Sequence, residues 1–141
     1  MKTLKVIPML LFVLTLFSCQ KDKTEITYDN LQTVINPGFY AKTDNEKTII
    51  DAKIVGDKLQ VVIGASGCDG SSWQLQLADK GVIAESDPVQ RFARIKFTNK
   101  ELCAAAISKN YSFDLKPLRI QGDNRVSINL DGWNKSLLYV Y

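Results

Sequence analysis

From Phe39 onward the apolar side chains fall at nearly every second position. Only an extended strand turns that spacing into a single buried face. In residues 48–55, Ile50, Ala52 and Ile54 fall on one face and Asp51 and Lys53 on the other. Gly56-Asp57-Lys58 then leads into residues 59–65, where Leu59, Val61 and Ile63 share a face, and the two runs are predicted to form a hairpin. Trp73, Leu75 and Leu77 alternate with Gln74 and Gln76; Asp79-Lys80-Gly81 reads as the next turn, and residues 82–85 as a short strand before Pro88. In residues 91–98, Ala93, Ile95 and Phe97 oppose Phe92, Arg94 and Lys96. Tyr111, Phe113 and Leu115 form a further stripe, Val126, Ile128 and Leu130 another, and residues 136–141 the last strand.

Residues 101–107, E-L-C-A-A-A-I, fit two descriptions. Three alanines suit a helix, whereas an extended chain puts Cys103, Ala105 and Ile107 on one face, which the neighbouring strands favour. Short strands at intervals of about 8–12 residues, with no long helix between them, predict an all-β chain. The expected form is a single antiparallel β-sandwich, immunoglobulin-like, with a small β-barrel as the alternative. It should occupy residues 37–141, after a short ordered lead-in at residues 31–35 that Asn36-Pro37-Gly38 stops.

The first residues carry a different message. Lys2 and Lys5 precede an apolar run over residues 7–17, about half of the roughly 20 residues a membrane-spanning helix needs. Residues 1–18 are therefore predicted to be a signal peptide. Leu16-Phe17-Ser18-Cys19 resembles a bacterial lipobox, with an aliphatic residue, a small residue, and then the cysteine that receives the lipid. Cys19 is accordingly a modification site, and the membrane is the first expected partner. At about 0.8 kcal/mol per buried methylene, several acyl chains anchor a protein where one does not. Residues 19–36 then form the lipidated tether and lead-in. Its start, Gln20-Lys21-Asp22-Lys23, resembles the charged signal that sends some Bacteroidota lipoproteins to the cell surface. The predicted location is the outer membrane, lipid-anchored, on its periplasmic or its outer face.

The chain has no histidine, which takes away the usual general base, proton shuttle and zinc ligand together. Its formal charge is +3, and Lys2 and Lys5 leave with the leader, so no basic footprint for nucleic acid remains. No cofactor and no metal site is predicted. After Cys19 only Cys68 and Cys103 are left. In an oxidising compartment they are expected to form a disulfide, the alternative being two buried free thiols.

The most distinctive stretch is residues 64–73, G-A-S-G-C-D-G-S-S-W. Its glycines allow tight turns, and Asp69, Ser71 and Ser72 offer oxygen atoms. Asp69, Gly70, Ser71, Ser72 and Trp73 form the candidate ligand loop, for a small ligand or weakly bound calcium. The spacing matches neither an EF-hand nor a phosphate-binding loop. Turn chemistry alone also accounts for each residue, with Cys68 as a staple, and is the favoured reading. Trp133, Tyr139 and Tyr141 could stack on sugars, but core packing is the commoner use of such rings.

The runs G-C-D-G-S-S-W, A-E-S-D-P-V-Q-R at residues 84–91 and E-L-C-A-A-A-I together resemble a group of small uncharacterised lipoproteins from Bacteroidota. The resemblance implies the same location and says nothing of mechanism. The expected function is a non-catalytic binding or structural module of the cell envelope, with an envelope protein or glycan as partner. The alternative is an inhibitor or immunity-type lipoprotein that blocks a hydrolase and would present residues 69–72. A carbohydrate-active enzyme ranks third, because Glu85 and Asp87 form no recognisable glycosidase pair.

Overall fold

Leu59, Val61 and Ile63 face Ile95, Phe97 and Ile128 across one interior, and all six are buried. Each belongs to a strand whose alternate residues meet solvent or the outer layers. The computed structural model describes residues 29–141. Cys19, the leader at residues 1–18 and the start of the tether lie outside the described residues.

The strands are β1 (Asp29–Leu31), β2 (Thr33–Ile35), β3 (Thr48–Val55), β4 (Lys58–Gly67), β5 (Gln74–Ala84), β6 (Gln90–Thr98), β7 (Ala105–Asp114), β8 (Arg125–Leu130) and β9 (Ser136–Val140). They form two sheets, ordered β1-β7-β4-β3 and β2-β5-β6-β8-β9. The predicted all-β sandwich is the architecture observed. Its inner faces bury Leu77, Phe113, Leu115, Leu118, Val126 and Tyr139 as well, each large apolar side chain contributing about 1.5–3 kcal/mol. Among the described residues no helix is long and apolar enough to cross a membrane.

The sheets are mixed, where purely antiparallel ones were expected. Adjacent hairpins and the β4–β7 pair run antiparallel, while β1 joins β7, β2 joins β5 and β6 joins β8 in parallel. Only Gln32 separates β1 from β2, so the chain steps from one sheet to the other within a single residue. Among the described residues the sandwich thus includes β1 and β2, ahead of the boundary at residue 37 read from the alternation. Strands of three residues are too short to show a period.

Two β-bulges shift the expected faces. The β3–β4 register slips between Ile49 and Asp51, so Ile49 enters the core at 8% exposure and Ile50 turns outward at 53%. An extra residue in one strand flips every side chain beyond it. Asp79-Lys80-Gly81 is likewise a bulge in one continuous β5, not a turn between two strands. It seats the Asp79 carboxylate in the interior, 3.0 Å from Arg91. At residues 101–107 the strand starts only at Ala105, and Leu102 just before it stands 99% exposed.

The link from β2 to β3 crosses the outer face of the second sheet. It holds a short helix, α1 (Pro37–Ala41), capped by Asn36, whose side-chain oxygen accepts from the Phe39 N–H at 2.9 Å. Three bonds fasten this link to β6. Arg94 donates to the Tyr40 carbonyl at 3.2 Å, Lys96 donates to the Lys42 carbonyl, and the Asn45 N–H donates to the Phe97 carbonyl at 3.0 Å.

Candidate functional site

The candidate loop joins β4 to β5. Gly70 takes a φ of +71°, a left-handed conformation that costs little only without a β-carbon. Asp69 closes a side-chain turn by accepting from the Ser71 N–H at 2.8 Å. The Trp73 N–H returns to the Gly70 carbonyl at 3.3 Å. Such a path aims successive backbone N–H groups inward, which makes a concavity for an anion.

Glu101 fills that concavity. Its Oε2 accepts from the N–H groups of Cys68 at 2.6 Å and Gly70 at 3.0 Å. Its Oε1 accepts from the Ser72 N–H at 3.2 Å. Burial works against the charge, but the N–H groups of Gly70, Ser72, Cys68 and Asp69 outweigh it and hold the Glu101 carboxyl below its ordinary range. Asp69 is also shifted down, chiefly by its hydrogen bonds with Ser71.

What brings Glu101 there is the expected disulfide: Cys68 and Cys103 are bonded, their Cα atoms 4.9 Å apart. Asn99 adds a second brace. Its side chain donates to the Ser66 carbonyl at 2.7 Å and accepts from the Glu101 N–H at 2.9 Å. Lys109 on β7 donates to the Gly70 carbonyl at 3.1 Å. Below the loop, the Trp73 ring is buried and meets Phe97 edge to face at 5.1 Å. Asp69 and Ser71 are the exposed members of the predicted loop; Gly70 and Trp73 are buried and Ser72 is half-buried.

The concavity of the loop is thus filled by the protein's own carboxylate. Among the described residues no group of three or more Cys, Asp or Glu side chains is placed to hold a metal. The sequence reading missed Glu101, Asn99 and Lys109. Their one visible signal is that Glu101 lies two residues before Cys103, so a disulfide to Cys68 had to carry it toward the loop.

The C-terminal aromatic rings are used inside the fold. Tyr139 is buried, donates to Asp57 at 2.6 Å and accepts from Arg119 at 2.9 Å. The Tyr141 hydroxyl accepts from the Ile120 N–H at 2.8 Å, and Trp133 packs on the core. Asp87 is engaged by Arg125 at 2.8 Å.

A separate groove of about 450 Å³ opens beside the step from β1 to β2. Gln32, Phe39, Gln74, Gln76, Lys96 and Thr98 line it. Strand alternation puts Gln74 and Gln76 on the same outward face, as the sequence predicts, and the β5–β6 register sets them beside Thr98 and Lys96. Lys96 is only 5% exposed. Burial pulls its pKa down, with Asp44 opposing.

No family model matches the sequence, and no curated protein matches it significantly. The solved structures that share the fold include two from Bacteroides. A protein of unknown function from Bacteroides vulgatus aligns over 82% of this chain and 57% of its own, with a TM-score of 0.53 and 13% identity. A NigD-like immunity protein from Bacteroides caccae aligns over 82% of this chain and 64% of its own, with a TM-score of 0.56 and 9% identity. At these identities the likeness is one of fold. The chain spans less than two thirds of the length of either relative. Both come from Bacteroidota.

Proposed function

We propose that the protein is a non-catalytic binding module of a bacterial cell envelope, held at the outer membrane by lipid on Cys19. The Cys68–Cys103 disulfide carries this reading. Such bonds persist in oxidising compartments, and an N-terminal leader with a lipobox directs a chain to one. A rigid β scaffold with loops and a groove on its surface suits recognition. An inhibitor or immunity role would present residues 69–72. The bonds from Glu101 and Lys109 tie that loop back and leave Asp69 and Ser71 as its exposed side chains, so the binding module is the better-supported reading.

Metabolic labelling with radioactive palmitate tests the anchor. The wild-type precursor should incorporate label and sediment with outer membranes, and Cys19→Ala should do neither. An unlabelled wild-type precursor, with Cys19→Ala still reaching the same membrane fraction, overturns the reading.

A further inference from the structure

The outward face of β5 and β6 carries four polar side chains in a two-by-two grid. Gln74 lies beside Thr98, and Gln76 beside Lys96. Strand geometry spaces such positions about 7 Å along a strand and about 5 Å across. Gln32 adds a third amide where the chain steps between sheets, and Phe39 and Leu75 supply apolar surface. All of these line the same groove of about 450 Å³, within the roughly 300–1,000 Å³ of small-ligand sites.

Within its own sheet, free hydrogen-bonding capacity marks this patch. Elsewhere on the same sheet outward amides satisfy one another: Asn129 donates to Gln90 at 2.8 Å, Gln90 to Ser86 at 3.0 Å, and Ser136 to Asn129 at 2.6 Å. Among the described residues the side chains of Gln32, Gln74, Gln76 and Thr98 make no such bond. Each amide presents one acceptor and two donors, and Thr98 adds a hydroxyl. Lys96 is fixed at the floor by the Lys42 carbonyl, with Asp44 at 3.9 Å offsetting its charge.

We infer that this groove is a carbohydrate-binding site. Amides pair with adjacent hydroxyl groups as donor and acceptor at once, and an aromatic wall suits the apolar face of a sugar ring. With one offset ammonium and no carboxylate in the lining, the chemistry fits a neutral mono- or disaccharide unit better than a peptide or a free anion. The inference rests on the binding-module reading and assigns it a ligand class.

The test is a titration of the mature chain, carrying Cys19→Ser for solubility, with mono- and disaccharides of gluco, galacto and manno configuration, followed by NMR. The expected result is saturable movement of the Gln32, Gln74 and Gln76 side-chain amide signals, half-complete near roughly millimolar sugar. Gln74→Ala and Gln76→Ala should each weaken binding by about three- to tenfold, the worth of one hydrogen bond. Gln90→Ala, in the self-satisfied ladder, should leave it unchanged. No saturable shift with any sugar, equal weakening by Gln90→Ala, or the same shifts with sodium acetate would overturn the assignment. So would groove signals that respond only when residues 20–28 are removed, because the chain's own tether would then be the occupant. Palmitate labelling of Cys19 is unaffected by any of these outcomes, so the anchored-module reading stands or falls separately.

Discussion

A β-carbon on Gly67 would stand 2.4 Å from Glu101 Oε2 and 3.2 Å from the Trp73 indole nitrogen. The bare backbone at Gly67 is what lets the carboxylate reach the loop. Gly67→Ala should therefore lower stability in urea denaturation, and Glu101→Ala should lower it by removing the acceptor. Because both act on the same contact, the double variant should lose less than the two single losses added together. Strict additivity would show that the close approach has no energetic consequence.

The same carboxylate sets a pH dependence. The Glu101 pKa in the fold lies below its ordinary 4.5. A depressed carboxylate contributes stability that is complete above the unfolded-state pKa and is lost as pH falls through the folded one. Denaturation midpoints of the wild type should therefore drop as the solution is acidified below about 4.5. In Glu101→Gln that part of the acid loss should be missing. Parallel pH curves for the two proteins would rule out this role.

Cys68 and Cys103 close a 35-residue separation. A loop of that size is expected to stabilise the fold by about 3–4 kcal/mol through the unfolded state. Reduction, or Cys68→Ser with Cys103→Ser, should shift the urea midpoint accordingly. It should also raise hydrogen exchange at the Cys68, Gly70 and Ser72 amides, since Glu101 is then held near them by Asn99 alone. Native protein whose two thiols alkylate without reductant would contradict the bond.

Asp79 and Arg91 form an ion pair inside the sandwich. Asp79 Oδ2 and Arg91 Nε have no partner among the described residues. Burial raises the Asp79 pKa, against the Gly81 N–H and Arg91 that oppose it. A raised carboxyl favours the fold most below the unfolded value of 3.8, and that advantage fades as pH climbs through the folded value. Arg91→Met should cost about 3–5 kcal/mol at neutral pH by stranding the carboxylate. The cost should shrink in acid, where Asp79 takes a proton, and Asp79→Leu with Arg91→Met should restore most of it. A double variant no better than the single one would refute the argument.

The alternation in the sequence was enough to locate the inward faces of β4, β6 and β8, because no inserted residue interrupts the chain there. It misassigned Ile50 because a bulge inserts one residue where two isoleucines stand side by side, and either can be the inward one. It broke β5 in two because Asp-Lys-Gly is turn chemistry wherever it occurs, and only pairing with β6 shows that the strand continues. The parallel partners of β1 and β2 lie about 80 and 45 residues away along the chain, beyond the reach of any local pattern. At the loop, Asp69 to Trp73 were legible as a turn. Glu101 was not, since a carboxylate between a lysine and a leucine has no signature until the disulfide fixes where it goes.

Because β1 and β2 sit in different layers with one residue between them, tension on the chain ahead of Asp29 has a defined load path. It shears the short β1–β7 ladder first and reaches the β2–β5 ladder only after that has parted. The two three-residue ladders are the first pairings such a pull meets, and β7 and β5 receive the load through them.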